Sequence, residues 1–418
     1  MNRNEPFYFG AATSAHQVEG GNRNDWTEWE IETAKSKAQM AKGNPPTGGW
    51  PDYILENYPS PLDEENYISG RAADHFNRYE EDFDIAKSLG HNAHRFSIEW
   101  SRVEPEEGKF DESALAHYRN VVKALRARGM EPFVSLSHWT IPRWFRDAGG
   151  WRSPRAPERF ARYAETAARV LGDDVRFWIT LNEPELNAAF GYFLGKWPPN
   201  VRSPLAYWRV LHRLVDGHRA AYAVIKRLAP QAQVGIAKHN SYFEAVGLNP
   251  WNRALQSLAQ WWWNSYFLDS IADVQDFIGL NYYFHNRINW WFNRNENRTV
   301  SDVGWELYPE GIYHVVKDLA RYRKPIYITE NGVADARDVL RAAFIRETFR
   351  WLALTKEEGV DIRGYLHWSL IDNFEWADGF WPRFGLVEVD YRTQARRVRP
   401  SALVYRDLIR EWHREHFD

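Results

Sequence analysis

The 418-residue chain contains no cysteine. Disulfide bonds, thiolate metal sites and cysteine nucleophiles are therefore excluded, because each of them needs that side chain. The chain also has no excess of basic charge, since 53 Lys and Arg residues stand against 56 Asp and Glu residues. Such a chain creates no field that would attract nucleic acid or an anionic membrane surface, so we expect neither as a partner.

Long apolar runs are missing as well. No uninterrupted apolar stretch approaches the roughly 18 residues that a membrane-spanning helix needs. The first fourteen residues lack the basic and apolar regions of a secretory signal, so we expect a cytoplasmic protein. The sequence contains neither a His-Glu-x-x-His pattern nor a Gly-rich phosphate loop after a strand. We therefore predict no metal and no cofactor.

The sequence does contain a repeated alternation of short apolar runs with longer amphipathic segments. Parallel strands joined by crossover helices produce this rhythm. The eight predicted strands are 7–13, 93–98, 132–137, 176–181, 233–237, 277–281, 325–329 and 364–368, and the clearest helices are 79–89, 115–128, 157–171, 206–228 and 339–358. Gly90, Gly129 and Gly359 follow predicted helix ends, where a left-handed residue closes the last turn. We predict an α/β fold, a single (β/α)₈ TIM barrel over residues 1–418.

Two segments differ from this rhythm. Residues 42–61 are rich in Pro, Gly and Asn, and residues 289–302 are polar with interspersed Trp. Both are predicted to be long loops after a strand or a short helix. They should then lie at the C-terminal face of the strands, where barrel enzymes build their active sites.

Two predicted strands run into a glutamate with an asparagine beside it. Glu183 follows the fourth strand and precedes Pro184, and Glu330 follows the seventh strand. Because the C-terminal ends of barrel strands meet at one face, the two carboxyl groups should face each other across its mouth. A single Glu at a strand end is usually a surface or salt-bridging residue, but two matching strand-Glu-loop segments favour a catalytic role for the pair.

At these positions the chain resembles glycoside hydrolase family 1, the β-glucosidase and β-galactosidase family. The segments that carry the resemblance occur in the family's order and span nearly the whole chain. They are FGAATSAHQVEG at 9–20, RFSIEWSR at 95–102, TLNEP at 180–184, ITENG at 328–332 and WSLIDNFEW at 368–376.

The resemblance implies a retaining exo-β-glycosidase. Glu330 would attack the anomeric carbon, and Glu183 would protonate the leaving oxygen and later activate water. Arg95 and Tyr283 would lie beside Glu330, where a cation and a hydroxyl donor favour the ionised carboxylate. The negative charge of Glu330 would in turn raise the pKa of Glu183.

The resemblance also implies a set of substrate-binding residues, which serve three purposes. Hydroxyl groups of the terminal sugar would be bound by Gln17, His138, Asn182, Glu375 and Trp376, with Asn182 on the 2-hydroxyl. Trp368 would form the floor, Trp139 and Asn281 the wall, and Trp305 a platform for the leaving group. We interpret Trp261, Trp262 and Trp263 as core residues instead.

Departures from the family narrow the substrate. Members that act on 6-phosphorylated sugars carry Ser where this chain has Glu375, and a carboxylate would repel a phosphate. We therefore expect an unphosphorylated small-molecule β-glycoside or oligosaccharide. A 6-phospho-β-glycosidase and an inactive sugar-binding barrel remain the alternatives. The preferred epimer and the oligomeric state stay open, and a homo-oligomer is allowed.

Glu185 stands where many bacterial relatives have Trp, two residues after Glu183. We expect it to be a solvated loop carboxylate. The alternative is that it touches the leaving group or changes the pKa of Glu183.

Overall fold

A computed structural model describes residues 6–46 and 48–417 of the chain. Its strands are β1 (Tyr8–Ala12), β2 (Ala93–Ser97), β3 (Glu131–Ser137), β4 (Phe177–Asn182), β5 (Gln233–His239), β6 (Tyr242–Ala245), β7 (Phe277–Asn281), β8 (His285–Ile288), β9 (Ile326–Asn331), β10 (Ile362–Trp368), β11 (Val387–Val389) and β12 (Arg396–Val398). Eight of them form a closed parallel barrel in the order β1-β10-β9-β7-β5-β4-β3-β2. The predicted fold class is confirmed, and each predicted strand overlaps one barrel strand.

Helices connect the barrel strands. They are α1 (Ala15–Val18), α2 (Asp25–Gly43), α3 (Asp52–Leu55), α4 (His75–Ser88), α5 (Trp100–Val103), α6 (Glu112–Ala127), α7 (Arg143–Asp147), α8 (Ala156–Leu171), α9 (Pro184–Ala188), α10 (Pro204–Leu228), α11 (Pro250–Ala259), α12 (Tyr266–Ile271), α13 (Gly311–Leu319), α14 (Arg341–Glu357) and α15 (Pro400–Phe417). Gly90, Gly129 and Gly359 all have positive φ, as the sequence predicts. None of the helices among the described residues is both long enough and apolar enough to cross a bilayer.

Aromatic side chains fill the end of the barrel at which the strands begin. Tyr8, Phe133, Phe177, Phe277 and Tyr327 lie at or near the starts of their strands and pack together in its interior. The rings of Phe133 and Phe177 stack with centroids 4.3 Å apart. This filling blocks the N-terminal end of the barrel, so a pocket can form only towards the C-terminal ends of the strands.

The ring of strands closes between β1 and β10, with Tyr8 opposite Gly364. Helix α15 supports this seam through the buried Tyr405. The Tyr405 hydroxyl accepts a hydrogen bond of 3.1 Å from the Gly10 amide. It lies 2.9 Å from the Gly10 carbonyl and 3.1 Å from the Tyr365 carbonyl, to which it can donate.

The two segments predicted as long loops meet above the barrel. The Tyr53 hydroxyl of the first donates a 2.7 Å hydrogen bond to Asp302 Oδ1 of the second. The first segment is not entirely irregular, since α2 extends to Gly43 and α3 follows it. Strands β6 and β8, which directly follow β5 and β7, pair with each other outside the barrel.

Candidate active site

The end of β4 presents Glu183 to the barrel mouth. Glu183 has a left-handed backbone with φ 43° and ψ 57°, and its amide donates a 2.7 Å hydrogen bond to the Ala237 carbonyl of β5. Pro184 then begins α9, where its fixed φ suits the first helical turn. The Asn-Glu-Pro sequence thus ends the strand, turns the chain and starts a helix at one point. The Glu183 side chain is buried.

Glu330 lies near the end of β9. The Arg95 guanidinium donates to its Oε1, and the Tyr283 hydroxyl donates to its Oε2 over 2.9 Å. Two residues later comes Gly332, where an added Cβ would lie 1.9 Å from the Trp368 carbonyl oxygen. The Glu-Asn-Gly sequence therefore allows β9 and β10 to approach closely beside the carboxylate.

Amide side chains join the two glutamates into one array. Asn281 Nδ2 lies 2.8 Å from Glu183 Oε1 and 3.0 Å from Asn182 Oδ1. The same Asn182 oxygen accepts a 2.7 Å hydrogen bond from Arg95, which also binds Glu330. Thr329 donates a 2.7 Å hydrogen bond to Asn281 Oδ1 and so fixes that amide. Strands β2, β4, β7 and β9 all contribute to this array.

The environment separates the protonation of the two carboxyl groups. Burial raises the pKa of Glu183 well above its ordinary value, and the neighbouring Glu330 adds to this increase. Burial also raises the pKa of Glu330, but Arg95 and Tyr283 oppose the increase by binding the ionised form. The first proton of the pair therefore leaves Glu330, and Glu183 keeps its proton to higher pH.

Polar side chains surround the space above the carboxyl groups. Gln17 donates a 3.2 Å hydrogen bond to Glu375 Oε2, and Asn182 Nδ2 lies 3.0 Å from His138 Nε2. Gln17 Oε1 and His138 Nδ1 are buried and have no hydrogen-bond partner among the described residues. Buried polar atoms are normally paired, so these two atoms are suited to binding hydroxyl groups of a ligand.

Burial raises the pKa of Glu375 to about 8. Its carboxyl group accepts hydrogen bonds from the amides of Gln17 and Asn373, which keep one face of it fixed.

Aromatic residues form the walls. The rings of Trp139 and Trp376 are 4.6 Å apart, and the His138 ring lies between 5 and 6 Å from Trp139, Trp368 and Trp376. Trp305 is partly buried and packs against Tyr283 in the cluster that contains Trp368. The structure thus brings every sequence-predicted site residue to the same end of the barrel.

Several supporting residues were not among those predicted from the sequence. Asn373 orients Glu375, Ser135 accepts a 3.1 Å hydrogen bond from Arg95, and Thr329 orients Asn281. His16 stacks on Trp376 and is paired with Glu30 at 2.6 Å. All except Ser135 and Glu30 lie within the segments that carry the family resemblance. Closeness in sequence to the predicted residues was therefore the signal that could have identified Asn373, Thr329 and His16.

Two sequence-based expectations were wrong. Glu185 is not solvated, because only 1% of it is exposed and its Oε1 lies 3.2 Å from Lys238 Nζ. Trp261 is not a core residue, since 49% of it is exposed, whereas Trp262 and Trp263 do pack against the core. Trp261 lies two residues after the buried Ala259 and therefore on the outer side of the helix, whereas Trp262 and Trp263 continue the side marked by Leu255 and Ala259.

Comparison with known proteins places this geometry in a family. The chain is 32% identical to β-glucosidase A of Thermotoga maritima, over 97% of both chains. A solved β-glycosidase from Pyrococcus horikoshii superposes with a TM-score of 0.84 at 36% identity, covering 98% of this chain and 96% of that one. A β-glucosidase from Thermotoga maritima in complex with glucoimidazole gives 0.84 at 29% identity, covering 97% and 98%.

The family model described as glycosyl hydrolase family 1 matches residues 2–275 and 267–413. These matches extend over the barrel strands and the segments that supply both glutamates. The chain belongs to glycosyl hydrolase family 1.

Proposed function

We propose that this protein is a retaining exo-β-glycosidase of the β-glucosidase type, acting on unphosphorylated substrates. The observation that carries the proposal is the buried array that links Glu183 and Glu330 through Asn281, Asn182 and Arg95. The environment keeps the carboxyl group of Glu183 protonated and favours the ionised form of Glu330. A double displacement requires this division of roles.

In the first step Glu330 Oε attacks the anomeric carbon while Glu183 gives its proton to the leaving oxygen. The bond from carbon to the leaving oxygen breaks, and a glycosyl ester with Glu330 forms. Loss of the negative charge on Glu330 lowers the pKa of Glu183, so Glu183 is then ready to act as a base. In the second step Glu183 takes a proton from water, the water oxygen attacks the same carbon, and Glu330 leaves as a carboxylate.

The remaining pocket residues bind the terminal sugar. Gln17, His138, Glu375 and Trp376 contact its hydroxyl groups, and Asn182 binds the 2-hydroxyl, a contact that strengthens as the transition state develops. The four further residues form surfaces for the ring and the leaving group. Trp368 is the floor, Trp139 and Asn281 are the wall, and Trp305 supports the leaving group.

The relatives' names support β-glucosides as the principal substrates and β-galactosides as secondary ones, and we propose β-fucosides as a further side activity. Relatives named β-glucosidase and β-galactosidase match this chain over nearly its full length. A 6-phosphorylated sugar is the less favoured substrate, because Glu375 and its amide neighbours offer no cation to bind a phosphate.

A panel of p-nitrophenyl β-glycosides, phosphorylated and plain, tests the substrate class. We expect hydrolysis of the plain glucoside, with the β-anomer seen first by proton NMR. The Glu330→Gln variant should retain no measurable hydrolysis. Inverted product would refute the double displacement, faster cleavage of phosphorylated members would favour the 6-phospho-β-glycosidase, and sugar binding without hydrolysis would favour an inactive barrel.

The role of Glu183 can be tested through the leaving group. In Glu183→Ala, hydrolysis of an alkyl glucoside should fall by about 10²- to 10⁴-fold, because its leaving oxygen needs a proton. Formation of the glycosyl-enzyme from a 2,4-dinitrophenyl glucoside should be much less affected, since that anion leaves without one. Equal losses on both substrates would contradict the acid role.

Three broader features belong to this proposal. The chain is one (β/α)₈ domain over residues 1–418, because barrel strands come from both ends of the chain and α15 packs on the seam. Limited proteolysis checks this. A cytoplasmic location and a homo-oligomer stay predictions, which cell fractionation and light scattering test.

A further inference from the structure

A buried ion pair lies directly behind the proposed acid/base. Lys238 on β5 places its Nζ 3.2 Å from Glu185 Oε1 of α9, and neither side chain is more than 1% exposed. The preceding residue, Ala237, faces the barrel interior. Side chains alternate along a strand, so Lys238 faces the outer helical layer and not the sugar pocket. The contacts that connect this pair to the site run through Glu183.

The two members of the pair differ in the number of other hydrogen bonds that they make. Lys238 Nζ also donates to the carbonyl oxygens of His239 and Trp263, over 2.6 and 2.7 Å. Neither carboxylate oxygen of Glu185 makes a well-aligned hydrogen bond within the described residues. Glu185 therefore depends on Lys238 for compensation of its buried charge. Because replacing a buried ion pair with apolar residues is often neutral or stabilising, fold stability alone gives little reason for this pair.

The pair is tied to the backbone of Glu183 from both sides. The Glu183 amide donates to the carbonyl of Ala237, the residue before Lys238, over 2.7 Å. On the other side Glu183 is followed by Pro184 and then Glu185 in the first turn of α9. A link between Lys238 and Glu185 consequently holds together the strand and the helix between which the left-handed Glu183 sits.

The pair also affects the charge balance at the acid/base. The groups that face the Glu183 carboxyl are Glu330 on β9, Arg95 on β2, Tyr283 just after β7 and the neutral Asn281 on β7, and Lys238 acts on it from behind β5. Lys238 lowers the pKa of Glu183, against the larger effects of burial and Glu330. The negative charge of Glu185 offsets the field of Lys238.

Two further titratable groups face the pair. Burial raises the pKa of Tyr207 on α10, and Glu185 raises it further. Burial lowers the pKa of His239 to about 3, and Lys238 adds to this effect. Both side chains are therefore uncharged near neutral pH, so Lys238 and Glu185 determine the charge behind Glu183. Burial raises the pKa of Glu185 and lowers that of Lys238, and each partner opposes the shift of the other.

We propose that the Glu185–Lys238 ion pair is a positioning element for Glu183, which holds the acid/base between β5 and α9 and balances the charge behind it. The inference rests on the proposed role of Glu183. Its consequence is that the two members of the pair have opposite effects on the pH at which activity is lost on the alkaline side.

The test compares the pH dependence of kcat/KM for p-nitrophenyl β-glucoside in Glu185→Gln, Lys238→Met and the double variant. Glu185→Gln leaves the Lys238 cation unbalanced, which favours ionised Glu183, so the alkaline limb should move to lower pH by up to about one unit. Lys238→Met removes the cation, so the limb should move to higher pH by a similar amount. The double variant should lie between the two, and the acid limb should stay in place.

If the pair were purely structural, removing either member would lower the melting temperature without shifting the alkaline limb in opposite directions. Asp82→Asn is the matched control, because Asp82 forms another fully buried ion pair, with Arg396. It should reduce stability and leave both limbs unchanged. If Lys238→Met does not fold, Lys238→Gln replaces it, and Glu185→Gln alone already decides the sign. Shifts of the same sign, or none, would overturn the inference.

The Glu183→Ala background separates this inference from the proposed function. If the alkaline limb persists in Glu183→Ala, the acid role itself fails. If the limb disappears there while Glu185→Gln and Lys238→Met leave it in place in the wild-type background, only the role of the pair fails.

Discussion

Tyr283 provides a direct control over the ionisation of Glu330. Its hydroxyl donates to Glu330 Oε2 over 2.9 Å. Tyr283→Phe removes a hydrogen bond to a charged group, so kcat/KM should fall by about ten- to a hundredfold. The pKa of Glu330 should rise, because its ionised form loses a donor. Since the proposed attack needs ionised Glu330, the acid limb of the pH profile should move to higher pH.

Tyr282→Phe is the matched control for that experiment. Tyr282 is the adjacent buried tyrosine, but its hydroxyl donates to the Tyr308 carbonyl and not to a glutamate. Its loss should affect stability and leave the acid limb unchanged. An unmoved acid limb in Tyr283→Phe would show that Tyr283 does not control Glu330.

Single residues also show which parts of the site could be predicted from the sequence and which could not. Glu183 and Glu330 could be found because each ends a strand in a recognisable segment. The sequence-based prediction for Glu185 was wrong because its partner, Lys238, lies on β5, far away along the chain, and a carboxylate after a strand end is usually exposed unless such a partner exists. Lys238 directly follows the predicted strand 233–237, and the structure extends that strand to His239, which the apolar run alone does not indicate.

At the scale of elements, the segments that follow the barrel strands contain several unfavourable backbone conformations in the pocket. Trp139, Glu183 and Trp376 are not glycines, yet their φ angles are 77°, 43° and 50°. Such conformations persist where surrounding contacts hold them, and they are common at functional sites. Here they allow bulky side chains to turn inward at points where regular strands would direct them elsewhere.

The approach of β9 to β10 gives a prediction at this scale. In Gly332→Ala the new methyl group would lie 1.9 Å from the Trp368 carbonyl oxygen, so one strand end must move. The variant should lose about 1–3 kcal/mol of stability and a large part of its activity, because Glu330 lies on one of these two strands and Trp368 on the other. Thermal unfolding and kcat/KM measure the two effects.

Gly43→Ala is the control, since an added Cβ at the end of α2 has nothing within 4 Å. It should change stability by only a few tenths of a kcal/mol, because an unobstructed Ala fits a helix at least as well as Gly. A Gly332→Ala protein with the stability and activity of the wild type would contradict the close approach.

Elements outside the barrel were harder to predict than those within it. Barrel strands are apolar runs between amphipathic helices, and that contrast is visible in the sequence. Strands β6 and β8 are four residues each and alternate only partly between buried and exposed side chains. Helix α2 carries charged residues on much of its surface, so its apolar residues show little helical periodicity in the sequence. Its capping box at Asn24 is nevertheless well formed.

For the whole molecule, the seam between β1 and β10 is the point on which closure depends. Tyr405→Phe removes a hydroxyl that bonds to both strands, leaving the Gly10 amide without that partner. We expect a loss of about 1–3 kcal/mol, seen as a lower melting temperature, while the folded fraction retains its kcat/KM. Tyr391→Phe serves as the control, because the buried Tyr391 hydroxyl has no hydrogen-bond partner in the described part of the chain. Equal stability losses in the two variants would contradict a special role for the seam.

The overall architecture could be predicted because many local signals agree on it. Eight apolar runs separated by helices allow few parallel arrangements, and a closed ring leaves no strand edge exposed. The sequence does not reveal distances across the mouth of the barrel, so the link from Arg95 through Asn182 and Asn281 to Glu183 emerged only from the structure.

The pairing of β1 with β10 also fixes the order of events during protein synthesis. Gly364, the partner of Tyr8, is made roughly 20 to 70 seconds after it, at about 5–20 residues per second. Until then the growing sheet has two open edges, which invite association with other chains. The barrel can therefore close only after β10 has been made, however early its other strands form.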